Sequence, residues 1–265
     1  MSDPFALVLL GGITATTTPF GEGGWWRALE RVFPGHRAVS PAWEPTPGCS
    51  TSDLADRMAA HLPDGSVLIG ASLGGLVGLA LAARHPEKVR TLVSISAGRR
   101  PDTWGTGVRH LQRELVRDAL AAGDPTPGME RARQLGMLTY RGRAEIGRRF
   151  GRFVDGRPPI ADYLDHHGRK FAKSFDVERF LMLSEAIDRC SIDVSPITAR
   201  VEVIGVPGDL LFPFTLQREL REALDAHSVP GGLHTLIADT GHDAFVANQE
   251  GLANLLIGLF RENPP

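Results

Sequence analysis

Two kinds of apolar block alternate along the first hundred residues. Short runs that are apolar at nearly every position, at 5–10 (FALVLL), 67–69 (VLI) and 91–96 (TLVSIS), have the length of strands buried on both faces. A weaker run at 36–40 reads as a further strand. Between the strands, apolar residues recur at helical spacing. Trp25, Trp26, Leu29, Val32 and Phe33 do so within 22–33, Leu54, Met58 and Leu62 follow a Thr51-Ser52-Asp53 helix start, and 76–82 is apolar throughout. Strand alternating with helix implies an α/β fold, a mostly parallel central sheet with helices on both faces.

From 101 to about 195 the pattern changes to helices alone, at 108–122, 128–138, 143–153, 161–174 and 177–190. Leu111, Leu115 and Val116 in the first of these, and Phe180, Leu181, Leu183, Ala186 and Ile187 in the last, lie at helical spacing. The strand pattern returns at 201–206 and 234–238, with helices at 216–226 and 251–260. The expected organisation is a core of 1–100 and 196–265 interrupted by an all-helical insertion at 101–195. Such an insertion is expected to be a lid over a site at the strand ends.

Composition narrows the class. With 42% hydrophobic and 23% charged residues in 265, the chain can bury one sizeable core. A net charge of -2 and a pI near 6.5 argue against a nucleic-acid or anionic-lipid footprint, although arginines are dense between Arg131 and Arg157. Cys49 and Cys190 form no cysteine framework, and residues 5–10 are too short for a signal sequence, so a reduced, cytoplasmic protein is expected. The nine histidines show no ligand spacing, and adjacent His166 and His167 cannot share a helix face, so no metal is expected.

The chemistry centres on Gly70-Ala71-Ser72-Leu73-Gly74, between an apolar strand and an apolar helix. Gly-x-Ser-x-Gly arises by chance in a chain with 30 glycines, but this context is that of a nucleophile elbow. There, small residues at 70 and 74 let strand and helix approach until the serine backbone is strained and its hydroxyl projects. The loop 11–16 begins where the first strand ends, and its Ile13 N–H, with that of Leu73, would form an oxyanion hole. Asp209 and His242 each fall just past an expected strand, giving the order serine, acid, histidine. Asp193, Asp225 and Asp239 are rival acids, but they lie at the lid's end, within a helix, and too near His242 in sequence, respectively.

Several motifs resemble the homoserine O-acyltransferase (MetX-like) family of the α/β-hydrolase superfamily. They are LGGITA at 10–15, GASLGG at 70–75, LQR at 111–113, GMERARQLGMLTY at 128–140, the stretches 163–175 and 180–188, DLLFP at 209–213 and GHDAF at 241–245. The lid motif together with GHDAF is the specific part. The resemblance implies the α/β-hydrolase fold, a Ser72–His242–Asp209 triad, and acceptor binding by Arg133, Tyr140 and Asp243. A zwitterionic amino acid needs a cation for its carboxylate and an anion for its ammonium group, which agrees with that set. Read without the resemblance, Arg133 is a solvated helix residue and Tyr140 a packing aromatic.

The resemblance further implies no cofactor, acyl-CoA as co-substrate, an acetyl or succinyl group passed to L-homoserine or L-serine, a role in methionine biosynthesis, and a homodimer joined through the lid. Two departures from the family stand out: the chain begins at the oxyanion-loop strand, without the usual preceding strand pair, and the connection from Gly12 to the helix at Asp53 is short. A serine hydrolase whose lid admits water is the alternative, and a noncatalytic binding protein of the same fold a more distant one.

Overall fold

The computed structural model of the chain describes residues 5–13, 29–36, 38–152, 155–262 and 264. Its centre is a six-stranded, all-parallel sheet in the order β2-β1-β3-β4-β5-β6. The strands are β1 (Leu7–Leu10), β2 (Ala38–Val39), β3 (Ser66–Ala71), β4 (Val89–Ile95), β5 (Arg200–Gly205) and β6 (Leu233–Thr235). Successive side chains of a strand point to opposite faces, so a strand covered on both sides must be apolar at every position. In β1, Val8 and Leu10 enter one core with Leu54, Leu76, Leu79, Leu220 and Leu224, while Leu7 and Leu9 enter the other with Phe33, Leu252 and Leu256. The helices forming these layers are α1 (Thr51–Ala59), α2 (Leu73–Arg84), α8 (Phe214–Ala226) and α9 (Gln249–Glu262).

Five helices separate β4 from β5: α3 (Thr103–Ala121), α4 (Thr126–Tyr140), α5 (Arg143–Phe150), α6 (Pro159–Ser174) and α7 (Val177–Asp188). They form the inserted lid, with its own apolar cluster of Val116, Met129, Ala132, Phe171, Phe175 and Phe180. The chain is thus an α/β-hydrolase fold with a helical lid.

Local chemistry explains where the elements depart from the pattern. The helix start at Thr51 is as expected, and Ser50 caps α1, its Oγ accepting from the Asp53 N–H at 3.3 Å while Asp53 Oδ2 accepts from the Ser50 N–H at 2.7 Å. α3 begins at Thr103 instead of 108, because Asp102 accepts from the Gly105 N–H at 2.7 Å and so caps a turn whose glycines hide it from periodicity. The last strand is Leu233–Thr235 and not 234–238: it ends where pairing with β5 stops at Gly205, and Ile237 is exposed. β2 is only two residues long. The helix expected at 22–33 lies mostly outside the described residues, although Leu29 and Phe33 are buried.

Helical spacing in α3 does not mark the buried face. Leu111 and Leu115 are 57% and 39% exposed, whereas Arg109, Gln112 and Arg113 are buried beside Val116. Arg109 Nε donates to Asp188 Oδ1 at 2.6 Å, Arg113 Nη1 lies 2.7 Å from Asp188 Oδ2 and donates to Ser184 Oγ at 3.0 Å, and Gln112 donates to the Ala132 carbonyl at 2.8 Å. The lid is therefore tied across α3, α4 and α7 by polar pairs that an apolar pattern does not register. These ties join three of the motifs read above, LQR, the lid motif and 180–188.

Candidate active site

Ser72 lies between the last residue of β3 and the first of α2, with φ 56° and ψ -119°. A non-glycine residue with positive φ is strained and persists only where its surroundings hold it. The hold is visible. The Ser72 N–H donates to the Ile95 carbonyl at 2.9 Å and its own carbonyl accepts from the Gly75 N–H at 2.9 Å. A Cβ on Gly70 would stand 2.3 Å from the Gly74 carbonyl oxygen, and one on Gly74 would stand 2.0 Å from that of Leu10. Only hydrogen at both positions lets strand and helix close around the serine, the reason for these glycines given above from sequence.

His242 and Asp209 reach Ser72 from the loops after β6 and β5. His242 Nε2 is 2.9 Å from Ser72 Oγ, and Nδ1 is 2.8 Å from Asp209 Oδ2. A carboxylate only accepts, so Nδ1 carries the proton toward Asp209 and Nε2 is left to accept from the serine hydroxyl. Asp209 Oδ1 accepts from the N–H groups of Leu211 and Phe212 at 2.8 and 2.9 Å, which fixes the carboxylate in a buried turn. Burial opposes charge on His242, but the Asp209 carboxylate outweighs it and holds the imidazole above its ordinary value. Phe212 stacks against the ring at 5.9 Å between centroids, and Phe245 meets it edge-on at 6.1 Å.

The three rival aspartates are engaged elsewhere. Asp193 caps Ser195, Asp225 pairs with Arg221, and Asp239 pairs with Arg148.

A cavity of about 60 Å³ opens at Ser72, lined by Gly12, Ile13, Ser72, Arg133, Tyr140, His242, Asp243 and Phe245. Every residue singled out from the sequence except the buried Asp209 and Leu73 therefore lines one small space. Leu73 is the first residue of α2, next to the serine, and Asp209 lies behind the histidine. The loop carrying Ile13 sits against the serine, since a Cβ on Gly12 would be 3.7 Å from that of Ser72, and Trp43 Nε1 donates to the Gly12 carbonyl at 3.4 Å. A larger cavity of about 500 Å³, between the β2 loop and α1, shares no lining residue with this one.

One helix of the lid and the histidine loop supply the charge. Arg133 of α4 lies 5.2 Å above the Tyr140 ring and 5.3 Å from that of Phe171, and its Nη1 is buried without a hydrogen-bond partner among the described residues. Burial raises the pKa of the Tyr140 phenol, against the pull of Arg133, so near neutral pH the hydroxyl is a donor. Burial likewise raises that of the Asp243 carboxyl, and His242, Arg141 and Arg133 oppose the shift. His167 on α6 is lowered to about 4 by burial and by Arg133, and is neutral at physiological pH. Arg141, which lies 3.4 Å from Asp243, was not singled out by the sequence reading, although it directly follows Tyr140 in the lid motif.

The fold agrees with what the chain resembles. A sequence profile of the alpha/beta hydrolase fold matches residues 33–249. The chain is 34% identical over 243 residues to an L-serine/homoserine O-acetyltransferase of Streptomyces lavendulae, covering 77% of this chain and 65% of that protein. The match thus spans just under two thirds of that relative's length. A homoserine O-succinyltransferase of Xanthomonas campestris pv. campestris is 31% identical over 279 residues, with 95% of this chain and 74% of that one covered. The crystal structure of a homoserine O-acetyltransferase from Staphylococcus aureus shares the fold, with a TM-score of 0.78 at 23% identity over 97% of this chain and 85% of that one. The chain belongs to the α/β-hydrolase superfamily and, within it, to the homoserine O-acyltransferase family.

Proposed function

We propose that the protein is an acyl-CoA-dependent O-acyltransferase that moves an acetyl or succinyl group to the side-chain hydroxyl of L-homoserine or L-serine. In the first half-reaction Ser72 Oγ attacks the thioester carbonyl carbon and His242 takes the serine proton. The oxyanion is met by the N–H groups of Ile13 and Leu73. The C–S bond then breaks, and His242 returns the proton to the CoA sulfur. In the second half the acceptor hydroxyl gives its proton to His242 and attacks the acyl-serine, and Ser72 leaves with that proton. Asp209 holds the imidazole tautomer throughout. Kinetics are ping-pong.

The observation that carries transfer over hydrolysis is that Arg133 and Asp243 line the same small cavity as Ser72 and His242. A hydrolase has no need of a buried guanidinium and a carboxylate there; an amino-acid acceptor uses both, one at its carboxylate and one at its ammonium group. The helical lid, by keeping water from the acyl-serine, gives the acceptor time to arrive.

The reading extends to a cytoplasmic enzyme of amino-acid biosynthesis, on the methionine route if homoserine is the acceptor, acting as a homodimer through the lid. Exposed Trp104, Leu111, Leu115 and Leu138 on α3 and α4 support the last point. Among the described residues no helix is long and apolar enough to cross a membrane.

The test is CoA release from acetyl-CoA and from succinyl-CoA, each with L-homoserine, L-serine or no acceptor, with products weighed by mass spectrometry. Release that requires one acceptor and yields its O-acyl derivative is the expected result. Equal release without acceptor would make the protein a hydrolase.

A further inference from the structure

Three consecutive residues at the corner between α4 and α5 each meet the loop that carries His242. The Tyr140 ring lies 6.0 Å from that of His242, and Arg141 Nε is 3.4 Å from Asp243 Oδ2. Gly142 packs so closely on the loop that a Cβ there would stand 2.0 Å from the Asp239 carbonyl oxygen. Arg148, one turn into α5, pairs with the Asp239 carboxylate and holds the corner down. Glu145, on the same helix, faces the other end of Arg141, with its Oε1 3.8 Å from Nη1. Arg141 and Asp243 are both mostly buried, at 21% and 23% side-chain exposure, so their attraction is only partly screened by water.

From this arrangement we infer that Arg141 is a positioning residue for the acceptor: it pairs with Asp243 through one carboxylate oxygen, leaving the other oxygen for a primary ammonium group. The inference rests on the transferase reading given above. Its physical basis is a count of the charges around Asp243. His242 and Asp209 face it from the core, Arg133 from α4 and Arg141 from the corner after it, and Glu145 lies behind Arg141. His242 must be neutral to act as base, and Arg133 is engaged by the acceptor carboxylate once the acceptor is bound. Arg141 is then the cation that remains committed to Asp243 at the moment recognition matters. Without it, burial would favour the protonated carboxyl, which cannot pair with an ammonium group.

The experiment compares the full-length protein with its Arg141→Gln and Arg141→Lys variants, reading kcat and acceptor KM as functions of pH. In parallel, the Asp243 carboxyl is titrated by carbon-13 NMR, its signal assigned with Asp243→Asn. For Arg141→Gln we expect acceptor KM to rise about tenfold or more with a smaller change in kcat. The acidic limb of kcat/KM and the NMR midpoint should both move up by about one pH unit or more. Arg141→Lys, which keeps the charge but loses the planar fork, should recover part of the loss. If the glutamine variant does not fold, the lysine variant alone is read, and an acceptor KM equal to that of the parent overturns the inference. An unchanged KM and midpoint in Arg141→Gln overturn it too, and so does a lower KM, which would mean that Arg141 competes with the ammonium group. CoA release from the parent protein that ignores the acceptor would sink the transferase reading instead, while the NMR midpoint still tests the Arg141–Asp243 link.

Discussion

The two sides of the Ser72 cavity are finished to different degrees. On the core side Ser72, His242 and Asp209 form a closed line in which each group is partnered within the chain, ending in two backbone N–H donors on Asp209. On the lid side Arg133 presents a buried Nη1 without a hydrogen-bond partner among the described residues, and Arg141 Nε faces Asp243 of the histidine loop at 3.4 Å, an ion-pair contact without a hydrogen bond. Ser72, His242 and Asp209 sit at the ends of strands, with Asp243 beside the histidine, whereas Arg133 sits on a helix of the inserted segment. Substitutions on the two sides should therefore fail differently.

The largest losses belong to the core side. Ser72→Ala should remove the acyl-enzyme seen by mass spectrometry and lower transfer about 10⁴-fold or more. Asp209→Asn should cost about 10⁴-fold in kcat, because Nδ1 no longer faces an acceptor-only group and the tautomer is lost. The pH profile sharpens this. Asp209 raises the His242 pKa, and the base must be neutral, so acylation in the parent protein should fall as pH drops through a midpoint above the ordinary imidazole value of about 6.5. A midpoint below that value in single-turnover acylation would contradict the geometry.

Next come the ties that hold the lid. Asp188→Ala leaves Arg109 and Arg113 buried with their shared carboxylate gone, and should lower stability by about 3–5 kcal/mol in denaturant unfolding. Arg133→Ala should act on the second half-reaction, lowering kcat/KM for the amino-acid acceptor about 100-fold, the scale expected for loss of a buried charged contact. Equal turnover with and without the amino acid in that variant would instead favour a hydrolase.

These contrasts also explain what could be read before the structure. Strands of the sheet announce themselves because residues such as Val8, Leu9, Val67 and Ile69 must be apolar on both faces. The serine is marked by glycines that steric contact requires, and the order Ser72, Asp209, His242 follows from strand ends. In the lid the rule holds for α7, where Phe180, Leu183, Ala186 and Ile187 are buried, but inverts in α3, which buries Arg109, Gln112 and Arg113 and exposes Leu111, so periodicity of apolar residues there points to the wrong face. Arg141 could not be chosen from its own chemistry, since an arginine after a helix end is ordinarily solvated. Only the close approach of Gly142 to Asp239 brings it to Asp243.

That close approach is the smallest effect and the sharpest test of whether the two sides are one unit. Gly142 has φ -69° and ψ 141°, a conformation any residue adopts, so its lack of a side chain is a matter of space and not of backbone freedom. Were the space open, Gly142→Ala would stabilise the protein by about 0.4–1 kcal/mol through the unfolded chain. With the Asp239 carbonyl oxygen 2.0 Å from the added Cβ, the corner must lift or the histidine loop must shift, at a cost of about 1–3 kcal/mol. The sign of the change in Tm decides between these. We expect Tm to fall and acceptor KM to rise together, because lifting the corner draws Arg141 from Asp243. A lower Tm with unchanged acceptor KM would mean that the corner bears on stability alone and that the recognition side is held by α4 itself.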